Sequence, residues 1–146
     1  MDPNMDPITY KGCVYPWQCD QIGHMNIMWY VGKFDEANWN HLARVGLTPS
    51  YLRTEERGMA AVQQNITCKR ELLAGEIVEI RSRFLEVRDK AVRFVHEMRN
   101  AETGEVAAIC EITAVHIDRH ARKAVALPAA VRDAASVALT PAMPAS

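Results

Sequence analysis

Residues 26–46 read Asn-Ile-Met-Trp-Tyr-Val-Gly-Lys-Phe-Asp-Glu-Ala-Asn-Trp-Asn-His-Leu-Ala-Arg-Val-Gly, a segment with helical periodicity. Placed at about 100° per residue, its apolar side chains share one stripe: Ile27, Tyr30, Val31, Phe34, Ala37, Leu42 and Val45. The opposite face carries Lys33, Glu36, Asn40 and Arg44. Asn26 is a good N-cap and Gly46 a natural stop, so the pattern predicts one helix of about 30 Å, long enough to cross a small domain.

The segments on either side of this helix complete an α+β pattern. A strand is predicted before it, at 9–15, and a short helix after it, at 49–56. Strands are then predicted at 59–70, 76–88, 90–99 and 105–118, followed by a terminal helix at 127–137. Tight turns make consecutive strands antiparallel. The order therefore predicts an antiparallel β-sheet wrapped around the one long central helix.

Size and composition set limits on the class of protein. The 146 residues suit one domain, predicted at 9–138 between flexible ends at 1–8 and 139–146. The formal net charge of −1 gives no global electrostatic case for a nucleic acid or an anionic membrane as partner. No apolar run approaches the roughly 20 residues of a membrane span.

The N-terminus and the cysteines point to a cytoplasmic protein. Residues 1–7 are acidic and have no apolar core, so we expect no signal peptide there. The cysteines form no Cys-x-x-Cys pair and have no zinc-finger spacing: Cys13, Cys19, Cys68 and Cys110. We expect them to be reduced thiols, and we expect no metal.

The loop before the long helix carries the chemistry-bearing residues. Asp20-Gln21-Ile22-Gly23-His24-Met25-Asn26 leads directly into the helix, where free N–H groups and the positive end of the helix dipole gather. A carboxylate in this position could attack a carbonyl carbon while the N–H donors polarise the carbonyl oxygen. Gly23 suits a positive φ or the close approach of a ligand. From the residues alone, an aspartate at this place is more often a turn former whose side chain caps nearby N–H groups.

Element order and loop together resemble the hot-dog fold. Residues 20–26 with Tyr30 are similar to the motif of the 4-hydroxybenzoyl-CoA thioesterase-like branch, and the resemblance covers about 10–131. It implies an acyl-CoA thioesterase, a thioester hydrolase without a cofactor. It also implies Asp20 as nucleophile or general base and the Ile27 backbone N–H as oxyanion donor. The same resemblance implies a homodimer or homotetramer with the active site at the dimer interface and CoA across it.

Other residues receive weaker assignments. His24 and Asn26 are more often structural in such a loop, and Tyr30 fits the core or a pocket wall. Glu36 is the rival carboxylate, because another hot-dog thioesterase branch uses a helix-borne Glu, but it projects onto the polar face. Asn38 and His41 project onto the apolar stripe, where buried polar groups need partners.

Two groups of residues are candidates for holding the substrate. Trp17, Trp29 and Tyr30 suggest an aromatic wall for the acyl group, which suits a cationic acyl group through cation–π contact. CoA implies phosphate-binding cations, for which the candidates are Lys69, Arg70, Arg88 and Lys90.

The acyl group and the reaction leave alternatives open. The runs 14–20 and 29–37 look like those of thioesterases of carnitine breakdown, which release betaine from betainyl-CoA. The substrate is thus expected to be a small acyl-CoA, with betainyl-CoA as the specific hypothesis. Hot-dog enoyl-CoA hydratases usually place Asp and His five apart around Asn-Pro, whereas Asp20 and His24 are four apart without Pro. A non-catalytic acyl-CoA-binding domain is the other alternative, and Asp20 argues against it.

Overall fold

The computed structural model of the chain describes residues 6–139. In chain order its elements are β1 (Ile8–Cys13), a 3-10 turn (Pro16–Gln18), α1 (Ile27–Ala43), α2 (Pro49–Thr54), β2 (Arg57–Cys68), β3 (Ile77–Val87), β4 (Ala91–Asn100), β5 (Val106–Asp118), β6 (Lys123–Ala124) and α3 (Ala129–Leu139). The predicted order is confirmed, and every predicted boundary lies within two residues of the observed one. Of the predicted flexible ends, 1–5 and 140–146 lie outside the described residues.

One antiparallel sheet surrounds α1. Its strand order is β1-β3-β4-β5-β2, with β6 paired to β5. The prediction that consecutive strands are neighbours is confirmed for β3, β4 and β5 but wrong for β2, which pairs with β5 and not with β3. The inner face of the sheet and the buried side of α1 form a single apolar cluster, to which the strands contribute Val78, Ile80, Phe84, Val92, Phe94, Met98, Ala108, Cys110 and Ile112. The long helix is thus the element around which the sheet packs, which confirms the hot-dog fold class.

The buried face of α1 differs from the predicted stripe at three positions. Ile27 and Val31 were expected to be buried but are 52% and 37% exposed, whereas Lys33 was expected on the polar face and is only 3% exposed. Lys33 is buried because its Nζ donates to the Tyr10 hydroxyl at 3.1 Å and to the Cys13 carbonyl at 3.2 Å. Two oxygens from β1 thus replace water around the Lys33 ammonium group. A prediction from residue type alone places a lysine on the surface.

The polar residues on the apolar stripe have different outcomes. Asn38 Oδ1 accepts a hydrogen bond of 2.7 Å from His96 Nε2. The other ring nitrogen, His96 Nδ1, lies 2.6 Å from the Ser82 hydroxyl, and this hydroxyl is hydrogen-bonded to the Thr9 hydroxyl at 2.7 Å. The prediction that a buried Asn38 has a partner is therefore confirmed. The same expectation for His41 is wrong, because neither of its ring nitrogens has a hydrogen-bond partner within residues 6–139.

Within the described ranges, the helices are too short or too polar to cross a lipid bilayer.

Candidate active site

The loop between β1 and α1 closes on itself just before the helix. Gly23 N–H donates to the Asp20 carbonyl at 3.0 Å, and Asp20 N–H donates to the His24 carbonyl at 3.2 Å. Gly23 has φ +104° and no neighbouring atom within 4 Å of the position that a Cβ would occupy. This glycine is therefore required by its left-handed backbone conformation, one of the two expected reasons, and not by crowding within the chain.

The side chains of Asp20 and Asn26 are joined across this loop. Asp20 Oδ2 accepts from Asn26 Nδ2 at 3.1 Å, and Oδ1 accepts from the Ile22 N–H at 3.0 Å. These two donors, Asn26 first, hold the pKa of the Asp20 carboxyl below its usual value. Hydrogen bonds to the charged form stabilise it, so Asp20 is ionised at neutral pH and keeps one defined orientation.

Asn26 also caps α1. Its Oδ1 accepts from the Met28 N–H at 3.0 Å, and its carbonyl accepts from the Trp29 N–H at 2.9 Å. The Ile27 N–H, the first amide of the helix, takes part in neither bond, and the first amides of a helix have no intrahelical acceptor. Ile27 therefore offers a backbone donor at the positive end of the helix dipole.

A cavity of about 400 Å³ contains both groups. Its wall comes from the loop, the first turn of α1 and the segment after β2, and it is lined by Asp20, His24, Met25, Asn26, Ile27, Tyr30, Cys68, Lys69, Arg70 and Glu71. The Met25 N–H donates to the Leu72 carbonyl at 2.8 Å, which fixes the segment after β2 against the helix start. One side of the cavity thus carries the Asp20 carboxylate and the helix amide. The other side carries Lys69, the Glu71 carboxylate and Arg70, whose Nη2 lies 3.3 Å from Glu105 Oε2.

Tyr30 is a wall of this cavity, as predicted. Its ring is buried and its hydroxyl donates to the Arg70 carbonyl at 3.2 Å. Burial raises the pKa of Tyr30 to about 12. The hydroxyl is thus a structural donor that positions the Lys69–Arg70 segment, and it holds its proton too tightly to act as an acid near neutral pH.

The comparisons with known proteins agree with this geometry. Residues 14–135 match the model of a family described as the thioesterase-like superfamily. The chain belongs to the thioesterase-like superfamily. Over 112 residues, 77% of the chain, it is 31% identical to the L-carnitine dehydrogenase/betainyl-CoA thioesterase of Agrobacterium fabrum. The chain spans about a quarter of that relative, 23% of its length.

Solved structures extend the comparison of this superfamily member to the fold. A Staphylococcus aureus protein, solved in complex with CoA, has a TM-score of 0.86 at 15% identity and covers 100% of this chain and 94% of its own. A gentisyl-coenzyme A thioesterase has a TM-score of 0.77 at 25% identity and covers 86% and 98%. These structures confirm the predicted hot-dog fold. The family match agrees with the predicted enzyme class, a thioester hydrolase.

Four of the expected substrate-binding residues lie outside the cavity of this superfamily member. Trp17 is 67% exposed and stacks on Tyr15, with ring centroids 4.5 Å apart. Trp29 packs against the core without lining the cavity. Arg88 pairs with Glu86 at 2.9 Å in the β3–β4 turn, next to Lys90.

The distance along β5 explains why Arg88 and Lys90 do not join Lys69 and Arg70. Lys69 is hydrogen-bonded to Ala107, whereas Lys90 is hydrogen-bonded to His116. Nine residues of extended strand separate these two anchors, which corresponds to about 30 Å. Within one chain the two pairs of cations therefore cannot contact the same small ligand.

Cys68 and Glu71 line the cavity but were not predicted as site residues. Glu71 Oε2 lies 3.6 Å from His24 Nε2, and the Cys68 thiol faces the same space as Tyr30. Burial raises the pKa of the Cys68 thiol, so it is protonated at neutral pH. No local sequence pattern marks these residues, because the register of β2 on β5 brings them to the helix start.

Proposed function

We propose that the protein hydrolyses the thioester of a small acyl-CoA, with Asp20 as the catalytic carboxylate and the Ile27 N–H as the oxyanion donor. The observation that carries this proposal is the Asn26 side chain, which donates to Asp20 at 3.1 Å while it caps α1 at 3.0 Å. A single amide thus sets the carboxylate beside the open amides of the helix, inside one cavity. A fixed carboxylate and a fixed donor are what acyl transfer requires.

The reaction can follow either of two balanced routes from this arrangement. In the first, an Asp20 oxygen attacks the thioester carbon, the C–S bond breaks, and the CoA thiolate leaves and takes a proton. Water then hydrolyses the resulting mixed anhydride to the free acid. In the second, Asp20 takes a proton from a water molecule that attacks the same carbon, and that proton passes to the departing thiolate. In both, the Ile27 N–H and the helix dipole stabilise the negative charge on the carbonyl oxygen.

The two sides of the cavity suit the two ends of an acyl-CoA. Lys69 and Arg70 are exposed at the rim, where they can meet CoA phosphates. Asp20 and Glu71 lie in the same cavity as the Tyr30 ring. Carboxylates and an aromatic face attract a quaternary ammonium group. Together with the similarity to a relative named as a betainyl-CoA thioesterase, these groups support betainyl-CoA as the specific substrate.

We also propose a homodimer or homotetramer as the working form, with the cavity at the dimer interface. The strand order leaves β2 at one edge of the sheet, and Val62 on it is 62% exposed. An uncovered edge strand offers unpaired backbone groups to a second copy. Ile27 and Met28, at the mouth of the cavity, are also more than half exposed, which suits contact with a partner subunit.

Thiol release from a panel of acyl-CoA thioesters tests the proposal. Acetyl-CoA, benzoyl-CoA and betainyl-CoA are assayed with a chromogenic thiol reagent, beside the Asp20→Asn variant. We expect release that is fastest with betainyl-CoA and lost in the variant. Equal rates with all three substrates would overturn the betainyl assignment alone. No release from any thioester by the folded protein would overturn the thioesterase proposal in favour of a hydratase or a binding domain.

A further inference from the structure

A second cavity, of about 350 Å³, lies at the opposite end of α1 from the candidate active site. It opens between α1, β3 and α3, and the residues that matter for the argument are His41, Arg44, Ser82, Arg83, Phe84 and Ala134. Fourteen helical residues separate Ile27 from His41, which corresponds to about 21 Å along the helix. The two cavities share no lining residue. This second cavity is therefore separate from the proposed thioesterase site.

His41 forms the polar floor of this cavity. The residue is 2% exposed, its ring stacks on Phe84 with centroids 4.1 Å apart, and neither nitrogen has a hydrogen-bond partner within residues 6–139. Burial holds the pKa of His41 at about 3, so the ring is neutral and offers one donor and one acceptor. Nearby His96 shows the usual condition, with both nitrogens bonded. Buried polar groups are nearly always partnered, and an exception calls for a physical explanation.

The outer wall of the cavity comes from the exposed face of α3. Val131 and Ala135 anchor this helix to the core, while Ala134 and the next turn, which line the cavity, are exposed. A ligand in the cavity would therefore contact the exposed side of α3.

The rim of the cavity is cationic. Arg44 is exposed and forms no ion pair within the described part of the chain, whereas Arg83 Nε lies 3.5 Å from Asp6 Oδ2. The lining residues therefore include one carboxylate and two guanidinium groups, so their charges sum to one positive charge. Phe84 and the exposed side of α3 add apolar surface to the same lining. The arrangement suits a ligand with a negative end and an apolar body.

We propose that this cavity is a binding site for a small organic acid. Its carboxylate pairs with Arg44 at the rim, its apolar body lies between Phe84 and α3, and a hydroxyl at its inner end pairs with the His41 imidazole.

4-Hydroxybenzoate is the probe, because its phenol can pair with a His41 ring nitrogen while its carboxylate lies at the rim. 4-Hydroxybenzylammonium, which has a similar body and the opposite charge at its outer end, is its control. The readout is the pair of His41 ring-nitrogen signals in ¹⁵N NMR, assigned with the His41→Phe variant. We expect 4-hydroxybenzoate to shift these signals saturably and 4-hydroxybenzylammonium to leave them unchanged. No shift with 4-hydroxybenzoate, or an equal shift with the ammonium control, would overturn the proposal.

Variants of α3 and of the rim locate the binding. Ala134→Trp fills the cavity from an exposed position, and Ala130→Trp places the same side chain on the same helix outside the lining. We expect the 4-hydroxybenzoate dissociation constant to rise at least about tenfold in Ala134→Trp, a change of about 1.4 kcal/mol, and to stay unchanged in Ala130→Trp. Arg44→Glu, an exposed substitution, should give the same loss and serves where Ala134→Trp does not fold. Binding of 4-hydroxybenzoate that survives Arg44→Glu and a folded Ala134→Trp would contradict the site. Thioester hydrolysis is measured separately, so either proposal can fail alone.

Discussion

Asn26 and Asp20 meet side chain to side chain, with 3.1 Å between Asn26 Nδ2 and Asp20 Oδ2. The oxygen of the same planar amide accepts the Met28 N–H at 3.0 Å. The position of the carboxylate is therefore linked to the start of α1 through one rigid group. One side chain therefore serves both the helix cap and the proposed catalytic carboxylate.

Removing the charge of Asp20 should abolish most turnover without unfolding the protein. In Asp20→Asn and Asp20→Ala we expect kcat for the best thioester to fall about 10²-fold or more, because a positioned acid–base or nucleophilic group is lost. Asp35→Asn, on the exposed side of α1, is the matched control. Circular dichroism checks that all three variants are folded. Turnover within a few-fold of wild type in both Asp20 variants would exclude the proposed role.

Asn26→Ser should separate the cap from the support of Asp20. Serine is as good an N-cap as asparagine, but it has no amide donor for Asp20. Asn26 is the largest contribution that lowers the pKa of Asp20, so its loss should raise that pKa and move the acid limb of the kcat/KM–pH profile to higher pH. Thermal stability should be close to wild type in Asn26→Ser and lower by about 1 kcal/mol in Asn26→Ala. An acid limb that does not move in either variant would show that Asp20 does not control that limb.

The fold was predictable from the sequence because its determinants are local. The spacing of Tyr30, Phe34, Ala37 and Leu42 predicts a helix with one buried face, and alternation with tight turns predicts an antiparallel sheet. Lys33 was misplaced because residue type was used as a guide to burial. Its burial depends on hydrogen bonds to the Tyr10 hydroxyl and the Cys13 carbonyl, at least 20 residues away along the chain. The periodicity of the helix gives no information about partners on another element.

The candidate site was only partly predictable, for a related reason. Asp20, Asn26 and Ile27 are close in sequence and lie together in the cavity. Cys68 and Glu71 reach them only through the pairing of β2 with β5, so no local pattern identifies them. Conversely, the sequence gives no reason to distinguish Lys69 and Arg70 from Arg88 and Lys90 as phosphate-binding candidates, but the strand register places the two pairs far apart. Distance along a strand, and not residue type, decides which of them are near the proposed carboxylate.

Lys69 and Lys90 should differ in their effect on CoA recognition. Lys69 lines the cavity, whereas Lys90 lies in the β3–β4 turn about 30 Å away along the sheet. In Lys69→Glu we expect KM for an acyl-CoA to rise several-fold, more at low salt than at high salt, with kcat little changed. Lys90→Glu, the matched control, should leave KM unchanged. An equal rise in both variants would indicate that the second lysine reaches the substrate from another subunit.

Val62→Lys should weaken self-association if β2 is the edge that pairs with a second copy. A lysine on an exposed edge strand disfavours strand pairing. We expect the mass measured by light scattering to fall towards that of one chain of 16.4 kDa, and activity to fall with it because the proposed site lies at the interface. Val137→Lys, an exposed apolar position on α3, is the control. An oligomer unchanged by Val62→Lys would exclude β2 as the interface, and a monomeric wild type with full activity would exclude the interface site.

Buried His41 should make the protein less stable as the pH falls. Its pKa is about 3 in the folded state, against 6.5 for an unperturbed histidine. The unfolded chain therefore takes up a proton at His41 below about pH 6.5 while the folded chain does not, so stability is full above that pH and declines between about 6.5 and 3. By pH 5 the loss in the free energy of unfolding amounts to about 2 kcal/mol.

In His41→Phe this contribution disappears, while an aromatic ring stacked on Phe84 is kept. Urea unfolding at pH 7 and pH 5 measures the difference, with exposed His120→Asn as the control. Because burial also lowers the pKa of His96 to about 3, wild type and His41→Phe share the contribution of His96. A His41→Phe variant that loses as much stability as wild type between the two pH values would show that His41 does not contribute.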